Sequence, residues 1–177
     1  IVHLWLHSAN MGPGVPMLDL VRDLYAHQEW ADALHWRAVR GSGTAREDAE
    51  LKARLVHIHG AQQIWLGRWQ GVRLGMPGAD DYGAMEDAFH FAQACHAALR
   101  AFLSLQREAD MEKDIAYTYS GGDSFTQPLG DLMLHVAFHS HYHRGQNAAR
   151  LRALGVPPPD ADLVVWQRTG RPGASWT

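Results

Sequence analysis

The sequence predicts an all-α four-helix bundle with a short extended or hairpin segment before its last helix. Three observations lead there. Apolar residues recur at helical spacing in four long stretches, glycine- and proline-rich breaks separate those stretches, and alternation with a period of two is confined to Ile115, Tyr117 and Tyr119.

The first helix runs from Met17 to Val39, with Leu18, Val21, Leu24, Tyr25, Leu34 and Val39 in phase, and stops at Gly41-Ser42-Gly43. Thr44, with Glu47 three residues later, matches a capping box and predicts a second helix from Ala45 to Gln70 carrying Leu51, Leu55, Ile58, Trp65 and Trp69. A third helix spans Tyr82 to Gln106, with Phe89, Ala92, Ala97, Leu99, Phe102 and Leu103 on its inner side. After the turn at Gly121-Gly122-Asp123, the last helix begins near Thr126 or Gln127, with Pro128 in its first turn. It continues to about Leu154, before Gly155 and the prolines at 157, 158 and 159.

A chain of 177 residues, 46% hydrophobic and 20% charged, has the length and composition of one globular domain. Residues 17–167 read as that domain. Residues 1–16, broken by Gly12, Pro13, Gly14 and Pro16, read as an N-terminal extension or misplaced start, so His3 and His7 are set aside, and 168–177 read as a C-terminal tail. A formal charge of −3 with mixed signs gives no basic footprint for nucleic acid, and no apolar run reaches the roughly 18 residues a membrane span requires. The single cysteine, Cys95, has no internal disulfide partner, so the expected compartment is the cytoplasm and the expected thiol is packed and unreactive.

Chemistry concentrates between His135 and Gln146, where His135, His139, His141 and His143 precede Arg144, Gly145 and Gln146. Residues four apart on a helix lie one above the other, so His135, His139 and His143 form a ladder while His141 points elsewhere. Two rungs can grip one transition-metal ion, and the spacing leaves both pairs open, His135 with His139 and His139 with His143. A further ligand must come from another helix. Among His27, His35, His57, His59, His90 and His96, helical phase favours His57. It shares a stripe with Ala53, Ala61, Ile64 and Trp65 and so is predicted to face the core, whereas His59 lies about 200° away. His59, His90, His96 and His141 read as solvent-facing or structural. Gly121-Gly122-Asp123 lacks the context of a phosphate loop, and no HExxH or Glu-x-x-His pair points to a zinc protease or a di-iron site.

Several of these segments resemble the DinB/YfiT-like family of metal-dependent four-helix-bundle proteins, over nearly everything from Met17 to Trp166. They are Tyr25-Ala-His-Gln-Glu-Trp30, His57-Ile-His-Gly-Ala-Gln-Gln-Ile-Trp65, Tyr117-Thr-Tyr-Ser-Gly-Gly122, the His135–Gln146 motif, and Leu151-Arg-Ala-Leu-Gly155 with its downstream prolines and Asp162-Leu-Val-Val-Trp166. The resemblance implies a metal held by His57, His139 and His143, with His135 beside the ligands or in the pocket and Arg144 and Gln146 matching the motif. Gln62 stands where the family commonly has an acidic residue. The ion implied is a divalent transition metal: zinc, nickel or iron. Three neutral imidazoles leave it positively charged with an open position, so the catalytic agent expected is a metal-bound water or thiolate. Relatives include thiol S-transferases, which implies an enzyme transferring a low-molecular-weight thiol to an electrophile in detoxification or stress response, acting as a homodimer on small molecules. A metal-dependent hydrolase and a non-enzymatic, stress-linked metal-binding protein are the alternatives.

Overall fold

The computed structural model describes residues 14–119 and 121–177. Most of the predicted N-terminal extension, with His3 and His7, lies outside the described residues. Four long helices carry the fold: α1 (Met17–Arg40), α3 (Ala49–Trp69), α4 (Met85–Ser104) and α5 (Leu129–Ala153). A one-turn helix, α2 (Gly43–Arg46), follows α1, and a short helix, α6 (Leu163–Arg168), follows α5. The alternating stretch is a hairpin. Strand β1 (Asp114–Thr118) pairs antiparallel with β2 (Ser124–Pro128), Tyr117 opposite Phe125, and because β2 uses residues 124–128, α5 begins two to three residues later than its expected start.

The predicted second helix is broken in two. Instead of a Thr44 capping box, the Ser42 hydroxyl accepts from the Ala45 N–H at 3.3 Å to start α2, and the Asp48 carboxylate accepts from the Leu51 N–H at 2.7 Å to start α3. Asp48 competes successfully because its carboxylate also receives the Arg150 guanidinium from α5, which ties the cap to the bundle.

Helix α5 packs against both α1 and α3, and α3 packs against α4. One apolar cluster gathers Val21, Tyr25, Trp69, Leu103, Leu132 and Met133; a second gathers Trp36, Leu51, Leu55, Phe89, Ala92 and Leu151. Following each helix from one cluster to the other makes α1 parallel to α5 and α3 parallel to α4, so the chain must cross back between α3 and α4. This is the crossover-connected form of the bundle. The returning segment lies directly on α3. A Cβ on Gly60 would sit 2.8 Å from the Pro77 ring, and one on Gly67 would sit 2.9 Å from the Val72 carbonyl, so only glycine admits this approach.

Ala97, expected on the inner side of α4, is exposed, as is Phe138 on α5. The C-terminal residues fold back on the bundle: the Trp176 ring packs against Phe89 and its indole N–H donates to Glu29 at 3.1 Å. No helix of the described residues is long and apolar enough to cross a membrane.

Candidate metal centre

Between the two apolar clusters the bundle carries histidines in two settings, separated by α3. On the side facing α5, the rings of His57, His139 and His143 converge. Their centroids are 5.3 Å apart for His57 and His139, 4.6 Å for His57 and His143, and 4.4 Å for His139 and His143. One donor nitrogen from each lies within 4.8 Å of the other two, and all three side chains are half-buried. Of the two pairs left open by spacing, the structure brings His139 and His143 together with His57. His135 stays out of the group: its ring centroid is 6.0 Å from that of His139, and it packs against the Trp65 ring at 5.3 Å.

Whether these residues suit a metal can be judged from their nitrogens. The Nε2 atoms of His139 and His143 face each other at 3.2 Å. Two nitrogens bound at about 2.0–2.1 Å to one tetrahedral ion would lie roughly 3.3 Å apart, so the spacing is that of a ligand pair. His143 Nδ1 lies 2.9 Å from the Gln146 carboxamide oxygen, which can only accept, so the ring donates through Nδ1 and turns the Nε2 lone pair inward. An imidazole-to-imidazole hydrogen bond would account for that pair alone and would leave His57, which makes no hydrogen bond among the described residues, unexplained. Burial, followed by the neighbouring imidazoles His143, His57 and His135, pushes the His139 pKa down to about 4. Burial and then His143 lower that of His57 as well. Neutral rings at pH 7 are the form that binds a metal.

Beyond His139 an aromatic wall continues along α3 and the hairpin. His135 packs on Trp65, Trp65 meets Tyr117 edge-on at 5.0 Å, and the Arg68 guanidinium lies over the Trp65 ring at 4.3 Å. Arg68 donates to the Thr118 carbonyl and has no carboxylate partner among the described residues.

The second setting, facing α1 and α4, reverses the expectation from helical phase. His59, predicted to point away from the core, is 1% exposed, whereas His57 is only half-buried and Ala53 on its stripe is exposed. Phase failed because α3 is covered on both sides, by α5 and by α4, and the interior it meets there is polar. His59 accepts from the Trp36 indole N–H at 2.9 Å through Nε2 and donates through Nδ1 to the Gln62 oxygen at 3.0 Å. Gln62 donates in turn to Asp32 and Ser140, and Asp32 also receives His96 Nε2 at 2.9 Å and the Arg144 guanidinium at 3.0 Å.

Asp32, His59 and His96 are close enough to hold an ion. The chemistry there is nevertheless that of a closed hydrogen-bond network: both nitrogens of His59 are engaged, and a guanidinium already neutralises the carboxylate. Burial alone would raise the Asp32 pKa, but Arg144 and the His96 hydrogen bond overcome it and hold the carboxylate far below its ordinary range. Burial pushes His59 down to about 4.

Arg144 therefore serves this network rather than the three-histidine cluster, while Gln146 touches a cluster residue directly. His90 and His141 are exposed. Cys95 is buried, as expected, with its thiol pushed up to about 12 by burial and then by Asp32. Asp32 escaped the sequence reading because nothing distinguishes a carboxylate in the middle of α1 until its partners on three other helices are known.

Comparison with known proteins agrees with this architecture. The model of the DinB family matches residues 17–171, and the chain belongs to that family. No curated protein matches it.

Proposed function

We propose that the chain holds a divalent transition metal (zinc, nickel or iron) between His57, His139 and His143, and that it transfers a low-molecular-weight thiol to an electrophile. The observation that carries the reading is the pair of facing Nε2 atoms at 3.2 Å, with the third ring beside them and a glutamine fixing the proton of His143 on the far side. A bound ion would supply the positive charge that stabilises a thiol in its deprotonated, nucleophilic form.

The chain's own residues do the rest. Gln146 keeps His143 in the tautomer that offers Nε2. The Trp65 and Tyr117 rings give an apolar electrophile a surface to lie on, and Arg68 stands over that surface for an anionic substituent. Transfer is favoured over hydrolysis because, among the described residues, no carboxylate joins the three-histidine group to act as a general base. Cys95 is too buried to be the attacking thiol, so the nucleophile is a free small molecule. A detoxification or stress role in a reducing compartment follows from that chemistry.

The test offers zinc-, nickel- or iron-loaded protein L-cysteine with 1-chloro-2,4-dinitrobenzene and, separately, p-nitrophenyl acetate. Metal-dependent turnover in the first assay, abolished by His139→Ala, is expected. Turnover only of the ester would replace transfer with hydrolysis, and stoichiometric metal with neither activity would leave a binding protein.

A further inference from the structure

A cavity of about 490 Å³ lies on the opposite side of α5 from the three histidines, between that helix, α1 and the segment leading into α6. Its walls include His35, Arg144, Gly145, Arg152, Asp160 and Asp162. Helical geometry separates it from the metal centre: Gly145 is two residues beyond His143, a rotation of about 200°, so the two sites occupy opposite faces of one rod.

Several features of these walls are not accounted for by packing or hydrogen bonds among the described residues. His35 lines the cavity and is 4% exposed; its Nδ1 is itself buried without a hydrogen-bond partner among the described residues, and the nitrogen open to the cavity is Nε2. Gly145 interrupts the middle of a 25-residue helix, where alanine would be more stable, yet a Cβ built there meets nothing within 4 Å. Close packing of the protein does not require that glycine, whereas approach of a ligand to the bare helix backbone would. Asp162 stands at the N-cap position of α6, but its carboxylate makes no cap hydrogen bond.

The charges are equally informative. Arg152, Asp160 and Asp162 line the same space, all three exposed and none in an ion pair among the described residues, so charges of both signs border the cavity. Arg144, buried at the inner end, adds a second guanidinium already oriented by Asp32. Pro158 and Pro159, whose φ angles are fixed by their rings, form part of the outer wall.

We propose that this cavity is a second binding site, independent of the metal, for a small zwitterion of the amino-acid or dipeptide class, its carboxylate toward Arg144 and Arg152 and its ammonium toward Asp160 and Asp162. His35, kept neutral because burial lowers its pKa to about 4, offers a hydrogen-bonding nitrogen without adding a competing charge. The volume accommodates a molecule of that size with several waters.

The experiment titrates glycylglycine and the free α-amino acids into the ¹⁵N-labelled full chain and into its His139→Ala form, without added metal, following amide shifts. Saturable shifts at Gly145, Ala148 and Ala161 are expected with at least one probe, equally in both proteins, so the outcome does not depend on the metal reading. For that probe, the N-acetylated form and the amide, each carrying one charge, should bind at least ten-fold more weakly. The exposed double substitution Asp160→Asn, Asp162→Asn should cost a similar factor, and Gly145→Leu, which fills the cavity, should remove binding while leaving the spectrum otherwise folded. Absence of shifts at these amides with every probe, shifts confined to the His139 and His143 turn, or equal affinity for an N-acetylated probe would each overturn the proposal.

Discussion

His57 and His59 stand two residues apart on α3, and nearly everything about them differs. His57 is half-buried, makes no hydrogen bond among the described residues, and shares its surroundings with two rings whose nitrogens point at each other. His59 is buried, with an indole donor on one nitrogen and a carboxamide acceptor on the other. Both belong to groups close enough to hold an ion. What separates the proposed ligand from the structural histidine here is neither burial nor helical phase but whether the protein has already used the ring's lone pair.

The sharpest way to break that contrast is to disturb the structural side and ask whether the metal side notices. Asp32→Ala leaves the buried Arg144 guanidinium and His96 without their anion, and should cost about 3–5 kcal/mol in urea unfolding. Whatever fraction remains folded should still take up zinc.

Acid probes the same side, with His139, also lowered to about 4, titrating over the same range. His35 and His59 both have pKa values lowered to about 4, so between that value and 6.5 the unfolded chain binds more protons than the folded one. Stability should be complete above pH 6.5 and fall as the pH drops toward 4, by about 3 kcal/mol for each of the two rings, as read from urea midpoints along a pH series. A flat profile over that range would mean these rings are not buried neutral.

His59→Ala opens a cavity and leaves the Trp36 N–H unpaired, for a loss of about 2–3 kcal/mol with zinc stoichiometry unchanged. Gln146→Ala works the other side of the comparison. It should leave the unfolding midpoint nearly in place and weaken zinc about ten-fold or more in competition with a chelating dye, because His143 loses the acceptor that sets its tautomer.

The long helices, the breaks between them and the histidine ladder were legible in the sequence because each rests on local spacing. The Tyr117 stretch was legible as either extended or a hairpin, and the pairing of Tyr117 with Phe125 across the turn makes it the hairpin. Two local signals misled. The Thr44 pattern satisfied a capping rule, but Asp48 had a stronger partner in Arg150, more than a hundred residues away. The stripe through Ala53 and His57 suggested a core face because periodicity assumes an apolar interior, and the interior beside His59 is an ion pair wrapped in amides and imidazoles. Long-range polar networks of this kind leave no periodic trace: Asp32, Gln62, His96 and Arg144 meet only once four helices are assembled.

The most direct measurement is zinc stoichiometry by elemental analysis on five purified proteins: the parent chain, His57→Ala, His139→Ala, His143→Ala and His59→Ala. One ion per chain in the parent and in His59→Ala, with none retained by His139→Ala or His143→Ala and strongly weakened binding in His57→Ala, is the predicted pattern. A full equivalent of zinc in His143→Ala, or its loss in a folded His59→Ala, would contradict the assignment of the two histidine settings.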